Sequence, residues 1–219
     1  MAWAKQYLSL FQGYANYLVN NGIYIAKQLS TDDAAGPAAN QTNLAIKAAV
    51  GLTSFGNLAS LPNYIVVGQT FALTLYENRL GTDSARTHFT LQYGDDPSWA
   101  TMFNLFPDYL MKLNTFSASA YDMQSSWYPQ VRSLGGLALD SALDWTKTDW
   151  MLWAGATSSK DTMNIFVNDL HSYLSSGLNQ VPFSDKYDVQ GGNTGKFDGY
   201  KARPVVGGEW SAMALQGRF

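Results

Sequence analysis

Apolar positions recur every three to four residues along most of the chain, the spacing that gathers them on one face of a helix. Across 2–20 this aligns Trp3, Tyr7, Leu10, Phe11, Tyr14 and Leu18, and Asn21-Gly22 supplies a stop signal. A second helix is predicted from about Asn40 to Ser60, through Leu44, Ala48, Gly51, Leu52, Phe55 and Ala59. Its small residues suit a helix crowded on several sides. Pro62 ends that stretch and can open a third helix reaching about Leu80. The run THFTLQYG, 87–94, alternates like a short strand or extended arm. After Asp95-Asp96-Pro97-Ser98, a further helix is predicted through Trp99, Met102, Phe103, Phe106 and Leu110, with Pro107 as a kink. Helical patterns follow at about 117–131, from Thr148, over 160–176, and from Gly208 through Trp210 and Met213. The expected fold is all-α, a single domain over 1–219 with short extended arms.

Composition narrows the chemistry. Only 14% of the 219 residues are charged, against roughly 25% in ordinary domains. With a net charge of -3, electrostatics exclude a nucleic-acid binder. No apolar run approaches the roughly 20 residues of a membrane span. Cysteine is absent, which excludes disulfide and thiol chemistry, and with His88 and His171 the only histidines, no metal site is expected. No G-x-S-x-G elbow, phosphate loop or dinucleotide fingerprint is found, so no cofactor is expected. Asn40-Gln41-Thr42 is an N-glycosylation triplet, which points to a secreted or cell-wall-associated protein. Met1-Ala2-Trp3 runs straight into a helical pattern without a signal peptide, which keeps a cytoplasmic location as the alternative.

The polar loops before alternate helices carry the candidate chemistry. If those helices run antiparallel to the ones between, the four loops share one rim, where helix N-termini present N–H groups. Asp32 and Asp33 are adjacent carboxylates whose pKa values a cleft can drive apart, giving a base and an acid. Their alternative reading is a loop in which they hold backbone N–H groups, with the helix cap taken from Asn40 or Thr42. Asp96 or Ser98 suits an N-cap, while Tyr93 and Trp99 can form a stacking surface with Asp96 beside it. Lys147 and Asp149 can pair across a cleft walled by Trp145 and Trp150, indoles that also suit a sugar face. The alternative is capping by Thr146 or Thr148 with both tryptophans in the core. Arg203 can grip a carboxylate in bidentate fashion. An internal partner, Asp185 or Asp188, is favoured over a substrate.

Those same loops, QLSTDDAAGPAANQTNLAIKAAVG, HFTLQYGDDPSWATMFNLFPDYLMKLNTF, YDMQSSWYP, TKTDWMLWAGA and VPFSDKYD with ARPVVGGEW, resemble the C-terminal region of the fungal glutaminase A family. The likeness runs in order across nearly the whole chain. It implies a partial α/α toroid of antiparallel helical hairpins, of the six-hairpin-glycosidase-like type. It also implies a secreted amidohydrolase converting glutamine to glutamate and ammonia, with Asp32, Asp33, Lys147 and Asp149 as catalytic positions. Tyr93, Asp96, Trp99, Trp145, Trp150 and Arg203 are the ligand-binding candidates.

Family members are longer, so the chain is expected to hold about the second half of the toroid. Ala34, Pro37 and Ala142 depart from the family's motifs. The alternative function is a non-catalytic carbohydrate-binding or immunomodulatory secreted protein using the aromatic rim. A half-ring leaves apolar flanks bare, so a homodimer is expected, with glutamine or a glycan as ligand.

Overall fold

The computed structural model describes residues 2–29 and 36–215, and it is predominantly helical. Its described residues gather into two compact units, one comprising Met1–Pro97 with Pro107–Ser117, the other Ser98–Phe106 with Ala118–Phe219.

In the first unit, α1 (Ala2–Lys5) and α2 (Leu8–Asn21) replace the single helix expected over 2–20. A two-stranded ribbon, β1 (Gln28–Leu29) and β2 (Pro37–Ala38), leads into α3 (Thr42–Ala59) and α4 (Pro62–Tyr76). The last two form a hairpin. Ser60 takes the left-handed conformation at the α3 C-cap, and Pro62 opens α4 as expected. Ala45, Ile46, Ala49 and Leu52 of α3 are fully buried. Gly68 explains how α4 comes so close: a Cβ there would lie 2.6 Å from the Ala49 carbonyl oxygen. The short residues read from the sequence therefore do make a crowded helix.

The cap of α3 differs from expectation. Gln41 is the N-cap and no side chain caps the helix; the Thr42 N–H bonds the Leu91 carbonyl at 3.1 Å instead. Asn40 adopts a left-handed backbone (φ 52) and stays exposed. Residues 87–94 form no strand; their backbone pairs with neighbours through isolated bridges, Thr82 to Phe89 and Gln41 to Gln92. Asp83 organises the loop before them by accepting the N–H groups of Ala85, Thr87 and His88.

The helix expected from Trp99 does not form. Thr101 N–H donates to Leu139 and Ser141 N–H to Trp99, so residues 99–101 pair with a neighbouring segment. A 3-10 turn at Phe103–Leu105 precedes α5 (Phe106–Met111), where Pro107 occupies the first turn rather than a kink.

The second unit contains α6 (Ala118–Val131), α7 (Thr148–Ala156) and α8 (Lys160–Ser175), near the expected positions. Ser159 caps α8 by accepting the Thr162 N–H at 3.2 Å. Tyr128, Leu137, Met151, Leu152, Met163 and Phe166 make the core, and Trp99 packs against its edge. A two-stranded ribbon joins β3 (Trp145–Lys147) to β4 (Lys186–Asp188). The last helix expected from Gly208 is instead a 3-10 stretch, Pro204–Trp210, followed by α9 (Ser211–Ala214). No helix among the described residues is long and apolar enough to cross a membrane.

Candidate functional site

Strand β3 runs directly into α7, so Lys147 becomes the N-cap and Asp149 falls in the first turn, where a carboxylate is favoured by the helix dipole. Neither Thr146 nor Thr148 serves as the side-chain cap; the Thr148 N–H is satisfied by the Asp185 carbonyl at 2.8 Å. That bond draws the segment before β4 against the start of α7. Arg203 opens the 3-10 stretch, which packs along α7 and carries Glu209 to the Thr148 hydroxyl.

The outcome is a buried charge network. Lys147 Nζ lies 3.3 Å from Asp149 Oδ1 and 3.2 Å from Asp185 Oδ2. Arg203 closes on Asp185 with two parallel N–H bonds, so the internal pair read from the sequence is the one formed. Lys147 Nζ also donates to Asp149 Oδ2 at 3.4 Å, so Asp149, 5% exposed, is held against the ammonium through both carboxylate oxygens.

The three carboxyls are driven apart. Burial pushes Asp149 above the ordinary aspartate value, Lys147 offsets part of that, and the Asp185 charge adds to it. Burial also raises Glu209, with Asp149 and Asp185 adding to the rise against the Thr148 hydroxyl. Burial would raise Asp185 as well, but the hydrogen bonds from Arg203 and Lys147 outweigh it and hold that carboxyl below its usual value. Two acids of raised pKa thus stand beside one fixed anion. No group of three or more acidic or histidine side chains able to hold a metal occurs among the described residues.

Next to this network lies an open hollow of about 480 Å3, lined by Phe106, Trp153, Trp210, Met213 and the backbone of Gly207 and Gly208. The residues flanking Glu209 in the chain, Gly208 and Trp210, form part of its wall. Gly208 is pressed so close that a Cβ would meet Asp149 Cβ at 2.7 Å and Trp153 Nε1 at 2.9 Å.

The remaining candidates fall elsewhere. Asp32 and Asp33 lie outside the described residues. Tyr93 and Asp96 belong to the first unit, where the Tyr93 hydroxyl donates to the Ile23 carbonyl at 2.7 Å. Asp96 accepts the Ser84 N–H at 3.1 Å and caps no helix. Trp99, expected as a stacking surface, packs against both apolar clusters of the second unit. Trp150 stacks on Phe103 (4.3 Å, 7°) and receives Lys147 Nζ 4.2 Å from its ring centre. Trp145 is covered by Lys186 Nζ at 4.0 Å. These indole faces already hold internal partners. Sequence reasoning misses Glu209 as a site residue, although GGEW is visible; only its approach to Thr148, 61 residues earlier, reveals it.

Residues 1–213 match the glutaminase A six helical-hairpin domain family. Glutaminase A from Aspergillus oryzae is 33% identical over 97% of this chain and 32% of its own length. A probable glutaminase from Arthroderma benhamiae is 29% identical over 98% of this chain and 28% of its own. The chain therefore spans about a third of the length of the curated relatives it matches.

Proposed function

Because this chain belongs to the glutaminase A six helical-hairpin family, we propose that the network around Lys147 is an amide-hydrolysing site that converts glutamine to glutamate and ammonia. One observation carries the reading: Asp149 is buried against the Lys147 ammonium beside two further carboxyls, Glu209 raised like itself and Asp185 held below its ordinary value. Buried carboxyls with shifted proton affinities around a fixed ammonium are the arrangement acid–base chemistry uses.

In this scheme Glu209, half-buried between two chain neighbours that line the hollow, takes a proton from water as the water oxygen attacks the carboxamide carbon. Lys147 faces the negative charge that develops on the carbonyl oxygen. Asp149, its protonated form favoured by burial, gives a proton to the amide nitrogen. The C–N bond then breaks and ammonia leaves. Asp185 does not react; it holds Lys147 in place, anchored by Arg203. The apolar walls of the hollow suit the methylene chain of the substrate.

The test is ammonia release from L-glutamine by the purified chain. Glu209→Gln and Asp149→Asn should each lower kcat by about 100-fold or more while the circular dichroism spectrum is kept. Activity unchanged in both variants would remove this site from the reaction. Sugar binding through Trp145 and Trp150 is the less favoured reading, because Lys186, Phe103 and Lys147 occupy those rings.

A further inference from the structure

Helix α1, the turn at 6–7 and helix α2 together carry two apolar stripes. The inner one includes Leu8, Phe11, Ala15 and Leu18, and α2 packs with it on α3. The outer one is Trp3, Tyr7, Leu10, Tyr14 and Tyr17, exposed by 66%, 40%, 50%, 60% and 59%. Its spacing alternates four and three residues, the 3.5-residue repeat that keeps a seam facing a partner helix. Trp3 and Tyr7 already touch, with ring centres 5.0 Å apart. Residues 2–21 contain one charged side chain, Lys5. A solvated surface helix normally carries many more.

We propose that this outer stripe is a self-association seam, occupied by α2 of a second copy of the chain in antiparallel, two-fold pairing. The inference is independent of the proposed activity, since it concerns the first unit and uses none of the site residues. The direction follows from charge and symmetry. Antiparallel pairing places the two Lys5 ammonium groups at opposite ends, whereas parallel pairing would bring them together. With Leu10 on the axis, Trp3 faces Tyr17 and Tyr7 faces Tyr14, each copy using the same patch.

The area is sufficient. Five half-exposed large side chains supply on the order of 100 Å2 each, so two copies bury about 1,000 Å2, the lower end for specific association. A membrane surface is the poorer occupant, because an interfacial helix needs a cationic polar face and here the rest of the helix turns to α3 or presents Ser9, Gly13, Asn16 and Asn20.

The absence of native cysteine makes the test direct. Leu10→Cys should form an intermolecular disulfide under mild oxidation. Trp3→Cys should cross-link to Tyr17→Cys in a mixture but not to itself, and Ser9→Cys on the polar arc should not cross-link. Sedimentation equilibrium should show a concentration-dependent dimer, and Leu10→Glu should raise its Kd at least 100-fold with the helical spectrum intact. A wild-type chain that stays monomeric throughout overturns the proposal. So does a dimer that survives Leu10→Glu, or self-cross-linking of Trp3→Cys, which indicates parallel pairing. A monomer that co-sediments with phosphatidylcholine vesicles also overturns it and reassigns the stripe to lipid.

Discussion

Asp149 and Asp185 differ by one interaction, and replacing each in turn should separate them. Asp185→Asn removes the shared anion: one amide oxygen remains, so Arg203 loses its two-pronged grip or Lys147 its contact at 3.2 Å, and an NH2 group is turned toward a cation. Lys147, 9% exposed at its side chain, is then left with Asp149 alone. Breaking a buried pair costs about 3–5 kcal/mol. The Arg203 side chain is 31% exposed and recovers some hydration, so the lower end applies, about 3 kcal/mol. For a chain of this size that is a fall of roughly 6–12 °C in Tm.

Asp149→Asn keeps Lys147 paired with Asp185 and removes a carboxylate that burial disfavours, so it should cost under about 1 kcal/mol or even stabilise. Six of the seven tryptophans lie in the unit that holds the network, so urea unfolding at pH 7 followed by tryptophan fluorescence reads it selectively. Equal losses in the two variants, or a loss under about 1 kcal/mol for Asp185→Asn, would refute the argument that Asp185 is the hub.

Gly208→Ala should destabilise by about 1–3 kcal/mol and lower any glutamine turnover, since its methyl drives into Asp149 and Trp153; thermal unfolding and ammonia release check the two effects. The pH dependence has a defined sign. The depressed Asp185 value adds stability that is complete above the ordinary 3.8 and is lost as pH falls through its lower folded value. Raised Asp149 and Glu209 act oppositely, removing stability as pH rises from 3.8 and 4.5 through their higher folded values. Urea midpoints should therefore peak in weak acid, and Asp149→Asn should flatten the limb on the alkaline side. Asn40, exposed in its left-handed turn, should carry a glycan when the chain is made in a secretory host; Asn40→Gln should abolish the mass shift that glycosidase treatment reveals.

Helices with a continuous period and a clear stop are legible in the residue pattern alone. The hairpin of α3 and α4 and the helices at 118–131, 148–156 and 160–175 fall close to their expected places. The failures share a cause. Trp99 to Leu110 has helical spacing, yet its first residues are held extended by the Thr101 N–H on Leu139 and the Trp99 carbonyl under Ser141, and α-helix begins only at Phe106. The period groups Trp3, Tyr7, Leu10 and Tyr14 with Phe11 and Leu18, yet only the last two are half-buried, because periodicity says that residues share a side and not whether anything covers it.

For the site the division is similar. Lys147, Asp149 and the Arg203 pair with an internal aspartate can be read from loop chemistry, because each is polar and flanked by helix-start signals. Family membership is legible too, carried by whole loops rather than by single residues. What sequence by itself determines is local: the period of each helix, the residues able to titrate, and the ordered motifs of the family. Only the tertiary structure decides that Glu209 meets Thr148, that Asp185 serves two cations and that Asp149 shares Lys147 with it. Those facts depend on distances between segments far apart in the chain, and such distances are set by packing and desolvation, which no local pattern encodes.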